Sequence, residues 1–462
     1  MSDAPAPRFV SGSTLRHVVV MTTTGSVGLV AVFAVDLLSL LYISWLGDPS
    51  LTAGVGLATI VLFFAVSINV GLMIAVGAVV SRALGRRDAA AARRLSSSAV
   101  VHLAGVALVV ALVLLAVLDP FLRFLGASAE TLPVARRFLW ITLPSNVLMA
   151  VGMGFSGTLR AAGDAKRAMY VTLTGAAVTV WLDPLLIFGL GLGVDGAAIA
   201  TVVSRVVFVA VGFHGAARIH RLVGRPTLAG VRADARPLYG VAVPAALTNI
   251  ATPVASAFVV SILATFGDEV IAANAVIDRI VPVAFGGLFA LSGAVGPILG
   301  QNWGALRFDR MRGILRDGVL FSGFYVGLVW VVLVLLRHRL ADLFHLGGLG
   351  ADLLVFFCLV SGPLWFFNGL LFVANAAFNN LGFPFYSTGF NWARATIGTI
   401  PFAYLGARLA GPEGAIAGVG LGFVGFGLAA VVTAFWTIRL LESRAGHPSA
   451  AAGVVQKPPR EE

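Results

Sequence analysis

The sequence predicts an all-α integral membrane protein, with twelve transmembrane helices in two parallel six-helix lobes and pseudo-two-fold symmetry along the membrane normal. Three observations predict it. The chain is 58% apolar and only 11% charged over 462 residues, too little polar surface for a soluble protein of that size. Apolar runs of about 20 residues or more, the length a helix needs to cross a bilayer, recur from end to end. Residues 1–220 and 221–440 are also two worn copies of one pattern.

The first 14 residues are polar and Pro/Ala-rich and read as a disordered cytoplasmic arm. They do not read as a signal peptide, because the run that follows is too long and contains Asp36. Six spans make up an N-terminal lobe, 15–218, at 15–45, 51–81, 95–118, 133–158, 168–190 and 193–217. Pro184 should bend or open the fifth and free a backbone carbonyl. Residues 219–237, with Arg221, Arg225, Pro226 and Pro237, read as a cytoplasmic linker. Six more spans make up a C-terminal lobe, 238–440, at 238–266, 270–299, 314–336, 352–378, 385–409 and 413–438. The tail, 441–462, has disordered composition. Several runs exceed what a bilayer needs, which predicts tilts and kinks.

The repeat shows in paired residues. Gly85 and Gly304 lie 219 apart, as do Pro144 and Pro363, and Gly163 and Gly382. Asp195-Gly196-Ala197 and Glu413-Gly414-Ala415 lie 218 apart, and Gly47-Asp48 and Gly267-Asp268 lie 220 apart. Six spans return the chain to its starting side, so the halves run parallel, with a cavity expected between them. A duplicated, apolar chain with a site between its halves is the plan of a secondary transporter.

The net charge of +11 could point to nucleic acid, but its distribution points to topology. The termini and even-numbered loops hold 23 of the 32 Lys and Arg, among them Arg82, Arg86, Arg87, Arg93 and Arg94. The opposite side holds six, and Arg205, Arg279 and Arg394 fall within helices. That asymmetry places both termini in the cytoplasm of a multi-pass membrane protein. Cys358 is the single cysteine, so neither an intramolecular disulfide nor a cysteine metal cluster can form. The only lysines, Lys166 and Lys457, sit outside any phosphate-binding loop. There is no H-E-x-x-H pair, and Ser156 lies in no nucleophile elbow. An enzyme is therefore not expected, nor a cofactor or a bound structural metal.

Most carboxylates fall in loops, but Asp36 and Asp183 lie deep in the first and fifth runs. At about 1.5 Å per residue both sit roughly 10–15 Å below the outer surface. Thr179 is one turn from Asp183 on the same face, and Thr201 on the sixth run reaches a similar depth. Ionisable groups inside a membrane are costly and usually functional. Such a carboxylate can hold a proton near neutrality, or two with hydroxyls can coordinate Na⁺. In the second half Asn249, Asn274, Asp278, Asn368 and Asn375 are candidate cavity residues, with local helix–helix hydrogen bonding as the alternative.

These motifs resemble the multidrug and toxic compound extrusion (MATE) transporters. The resemblance is carried over about residues 15–440 by Val35-Asp36, Trp45-Leu46-Gly47, Val80-Ser81-Arg82-Ala83-Leu84-Gly85, Thr158-Leu159-Arg160-Ala161-Ala162-Gly163-Asp164, Leu182-Asp183-Pro184 and Gly300-Gln301-Asn302-Trp303-Gly304. It implies an inner-membrane antiporter exchanging H⁺ or Na⁺ for small organic, often cationic or amphiphilic, compounds; the chain is expected to work as a monomer. The family's first-lobe cation site maps onto Asp36, Thr179, Asp183 and Thr201. Thr179 stands where the usual residue is Asn, which removes an amide oxygen from any Na⁺ shell and favours H⁺. The alternative is a flippase for a lipid-linked oligosaccharide or peptidoglycan precursor, within the same wider superfamily.

Overall fold

The computed structural model describes residues 7–446. The first half comprises α1 (Thr14–Ser44), α2 (Pro49–Gly85), α3 (Ala89–Ala116), α4 (Leu118–Phe124), α5 (Thr131–Thr142), α6 (Asn146–Ala161), α7 (Ala165–Pro184) and α8 (Gly193–Phe213). The second comprises α9 (Leu228–Leu263), α10 (Asp268–Ala284), α11 (Gly286–Gly304), α12 (Phe308–Leu343), α13 (Gly348–Phe356), α14 (Gly362–Leu381), α15 (Pro384–Ala393) and α16 (Ile400–Gly446). Nine stretches of the described residues are apolar and long enough to cross a membrane. Two bent pairs, α5 with α6 (52°) and α10 with α11 (43°), bring these to as many as eleven. The 62-residue stretch Pro384–Ala445 is broken at Ala410 and Gly411, just before Pro412, where the backbone leaves the helical region. It therefore carries both of the last two runs read from the sequence.

The breaks have local causes. Pro184 ends α7, and a π-helical turn, Leu185–Gly189, follows. A proline removes one backbone donor and crowds the preceding turn. Further π turns at His214–Ile219, Phe357–Ser361 and Arg394–Gly398 end or join α8, α13 and α15. Ser13, Asp48, Asp88, Asp164 and Thr227 cap helix starts with side-chain acceptors.

The residue pairs of the repeat have matching structural roles. Gly47 and Gly267 both take positive φ (81° and 105°) just ahead of a helix, and Gly163 and Gly382 both do so just after one (80° and 95°). Gly196 and Gly414 each press against the backbone of the preceding span, at Leu186 and Gly406. Gly85 and Gly304 touch each other: a Cβ built on Gly304 would lie 3.0 Å from the Gly85 Cα and collide with the Arg82 carbonyl. The ends of α2 and α11 thus cross backbone to backbone at the arginine-rich end of the molecule. Small residues permit such approaches between membrane helices, as they do along Gly414, Gly418 and Gly422 on α16, which meet Gly406, Phe402 and Gly398.

The first helix of each half also packs on the other half. α1 packs on α11 and α12, and α9 packs on α2 and α3. Val18 and Met21 join the second half's apolar core, while Leu238, Val241 and Ala242 join the first half's.

Two terminal expectations change. The arm is docked where it is described. Phe9 is 3% exposed. Its N–H donates to Gln301 Oε1 (2.9 Å), and its carbonyl accepts from Asn302 Nδ2 (3.1 Å) and Arg310 Nη2 (2.9 Å). Gln301 Nε2 also donates to the Ala161 carbonyl (2.7 Å), so one side chain ties the arm and both halves together. One aromatic and a strip of free backbone are enough to dock a segment whose composition reads as disordered. At the linker, helix α9 begins at Leu228, so 228–237 are helical and the non-helical connection is shorter than 219–237. Residues 1–6 and 447–462, parts of the expected arm and tail, lie outside the described residues, but α16 continues through Gly446.

Asp164, in the connection before α7, accepts from His220 Nε2 (2.7 Å) and also pairs with Arg167. Burial alone would raise its pKa, but the hydrogen bonds from His220 and Arg167 outweigh burial and hold it below the usual carboxylate range. A depressed folded-state pKa stabilises above the unfolded value, about 3.9, and that contribution is lost as pH falls below it. Melting of purified protein should therefore weaken between about pH 5 and pH 3, and Asp164→Asn should flatten this dependence while lowering stability at neutral pH. Gly85→Ala or Gly304→Ala should cost about 1–3 kcal/mol by overpacking, whereas Gly105→Ala, with nothing within 4 Å, should not destabilise. Equal melting temperatures for the three variants would show that the crossing is not tight.

Candidate functional site

Three helices of the first half bring polar side chains to a common face. α1 carries Asp36 and Ser39, α7 carries Thr179 and Asp183, and α8 carries Thr201 and Arg205. In each pair the residues are three or four apart and so point the same way. α7 packs on both α1 and α8.

Asp183 is 1% exposed. Its Oδ2 accepts a hydrogen bond from the Ser39 hydroxyl, while its Oδ1 is buried with no partner among the described residues. Asp36 is exposed to the space beside α1 and close enough to Arg205 and Asp183 to feel both charges. Arg205 is buried and donates through Nη1 to the Thr142 carbonyl and to Ser145 Oγ, both at 2.8 Å. The cluster is therefore two carboxylates beside one guanidinium, with one carboxylate oxygen unsatisfied. A buried charge needs compensation or a proton.

The hydroxyls of the two threonines turn to their own helices. Thr179 donates to the Gly175 carbonyl (3.2 Å) and Thr201 to the Ala197 carbonyl (3.0 Å). That leaves each oxygen only its acceptor side for anything in the cluster. Ser39 and Arg205 were missed by sequence reasoning as partners of the carboxylates. The available signals were Ser39's place one turn from Asp36 and Arg205's place one turn from Thr201.

The second-half candidates form separate groups. On α10, Asn274 Nδ2 donates to Asp278 Oδ2 (3.0 Å) at an exposed position. On α14, Asn368 and Asn375 are buried, and Asn375 Oδ1 accepts from Asn391 of α15 (3.0 Å). Asn249 donates to the Ala245 carbonyl of its own helix (2.8 Å). No hydrogen bond among the described residues links these groups to one another.

Between the halves lies a crevice of about 30 Å³, lined by Met73, Gly77, Arg160, Gly293, Asn379 and Asn380 among others. A volume of this order admits water but no organic molecule. Its walls come from α2 and α6 on one side and α11 and α14 on the other, above the Gly85–Gly304 crossing. The arrangement is closed at its arginine-rich end.

Comparison with known proteins adds three findings. The MatE family model matches twice, over residues 26–185 and 244–405. The two matches start 218 residues apart (244 − 26) and end 220 apart (405 − 185), the same offsets as the paired glycines. Among curated relatives, a FAD transporter of Shewanella oneidensis is 28% identical over 415 residues, 85% of this chain and 88% of that protein. The multidrug export protein MepA of Staphylococcus aureus is 24% identical over 345 residues, 73% of this chain and 75% of that protein. Among solved structures, the bent form of the Vibrio cholerae MATE transporter VcmN superposes with a TM-score of 0.87 at 24% identity, over 92% of this chain and 97% of that one. With the family model matched across both halves, the chain belongs to the MatE family of MATE membrane transporters.

Proposed function

We propose that the chain is an efflux antiporter in which proton binding to the Asp36–Asp183 cluster drives export of small organic compounds. Two six-helix lobes, related by a pseudo-two-fold axis along the membrane normal, alternate access to the cavity between them. The observation that carries this reading is the unpartnered Oδ1 of Asp183, a buried carboxylate oxygen with Asp36 nearby. The relative named as a multidrug export protein supports export as the direction, and it and the FAD transporter support organic molecules as the cargo.

The choice of ion follows from the cluster. Na⁺ wants a shell of several oxygens. The cluster instead holds Arg205, a fixed positive charge that opposes a second cation, and two hydroxyls already turned to helix carbonyls. A proton needs only a carboxylate that water reaches from one side at a time. Antiport follows if the protonated carboxylates favour one state of the lobes and bound cargo the other, because a ligand shifts only what it binds differentially. The arrangement described, closed at the arginine-rich end, then corresponds to access from outside.

We infer that the transporter sits in the bacterial inner membrane with both termini in the cytoplasm; the arginine asymmetry supports that orientation.

In proteoliposomes an imposed pH gradient should drive substrate accumulation without Na⁺, and Asp36→Asn should abolish it while the protein still inserts and melts normally. Accumulation that needs Na⁺ and ignores pH would overturn the choice of ion, and near-normal uptake by Asp36→Asn would remove the cluster from the mechanism. In a Cys358→Ala background, a cysteine at the exposed Ala229 should resist impermeant thiol reagents in intact cells. Labelling there from outside would reverse the orientation.

A further inference from the structure

The second half holds a charge that nothing in the first-half mechanism uses. Arg394, at the start of the π turn joining α15 to α16, is 5% exposed. Its Nη2 donates to Thr252 Oγ1 of α9 (3.2 Å), its guanidinium lies over the Phe423 ring at 5.3 Å, and its Nε is buried with no acceptor among the described residues. No described carboxylate pairs with it. A guanidinium stays charged in proteins, and an uncompensated charge at membrane depth is expensive enough to mark a functional site. Arg205, the other deep arginine, is the useful contrast: it has a carbonyl, a hydroxyl and the charge of Asp36 around it. By the repeat offset of 219, Asp36 corresponds to Ala255 (36 + 219) and Asp183 to Phe402 (183 + 219). The second half thus lacks both carboxylates where the first half has them and carries a cation instead.

Aromatic rings extend from that cation. Phe423 meets Trp365 edge-on (5.6 Å between centroids), and Trp365 stacks on Phe285 (4.8 Å) and meets Phe289 (6.3 Å). Phe289 in turn lies 5.3 Å from Phe372. Trp365, Phe289 and Phe372 are only partly buried, so the row is not sealed inside the core as Phe285 is. Distortion of a helix by a π turn is a frequent mark of a ligand site. One unpaired guanidinium beside a row of aromatic faces has a definite chemical complement, a planar ring bearing a carboxylate, sulfonate or phosphate.

We infer that Arg394 anchors the anionic group of an aromatic cargo in the second half, with Phe423, Trp365 and Phe289 receiving the ring. This rests on the transport reading above and gives its substrate a class: aromatic organic anions. It separates the two jobs by charge, with cation handling at the carboxylates of the first half and cargo recognition at the guanidinium of the second. Arg394 is then a substrate-binding residue, and Thr252 positions it.

The test is equilibrium dialysis of the detergent-purified full chain against three probes of one shape: 2-naphthoate, 2-naphthamide and 2-naphthylmethylammonium. The carboxylate should bind about tenfold or more tightly than the amide, the value of one charge-assisted hydrogen bond, and the ammonium should bind no better than the amide. Arg394→Gln should remove the preference for the carboxylate while leaving the amide unchanged, and Arg394→Lys should keep part of it. Should Arg394→Gln fail to fold, the probe series on the unaltered protein and Thr252→Val, which should weaken only the carboxylate, still decide. Binding that ignores probe charge, naphthoate affinity in Arg394→Gln within about twofold of the unaltered protein, or no naphthoate binding at millimolar concentration would each overturn the inference. No gradient enters this experiment. Charge-selective binding without gradient-driven uptake would sink the antiport reading and leave this one standing, and uptake without charge selectivity would do the reverse.

Discussion

The contact on which the rest depends is the crossing of α2 and α11 at Gly85 and Gly304. Two backbones meet there with no side chain between them, an approach only glycine allows. It brings Arg82, Ser81, Gln301 and Asn302 to one level. Once α2 and α11 are held there, Gln301 reaches the Ala161 carbonyl and the Phe9 amide, Asn302 and Arg310 hold the Phe9 carbonyl, and the crevice above is closed at that end. Each of these is a hydrogen bond of modest net worth. Their effect comes from being assembled at a point where the helices cannot move apart without exposing all of them together.

Charge is distributed unevenly over this frame. The first half concentrates Asp36, Asp183 and Arg205, which can neutralise one another in part. The second half places Asp278 in an exposed pairing with Asn274 and leaves Arg394 inside without an acid. The backbone has kept part of its repeat: the positive-φ glycines Gly47 and Gly267, and Gly163 and Gly382, and the close approaches at Gly196 and Gly414, recur. The polar side chains have not. Duplication preserved what packing requires and released what chemistry requires, which is how one architecture can carry two different sites.

Much of this was legible in the sequence, for identifiable reasons. Hydropathy alone located the spans because a bilayer demands long apolar helices, and the bend at Pro184 followed from proline's missing donor. The paired glycines were visible as spacing, although nothing in spacing says that Gly85 and Gly304 touch. Asp36 and Asp183 stood out because acids are rare at such depth. Ser39 did not, because serine is common in membrane helices and its value here comes from reaching Asp183 across a helix boundary. The docking of Phe9 was hidden by its neighbours' composition. That Arg394 lacks a carboxylate partner is a tertiary fact with no local signature, since any distant acid could have folded against it.

The sharing of the first helices between the halves bears on how the chain is made. Val18 and Met21 complete a core built mostly from α10 to α16, and Leu238, Val241 and Ala242 complete one built from α2, α3 and α6. A chain emerging from the ribosome therefore inserts a first half whose core stays open until α9 arrives, with α1 packed on α7 along one side and lacking α11 and α12 along the other. Each half's core is completed by residues of the other's leading helix. A break between the halves would leave two membrane proteins, each with an apolar groove shaped for the other.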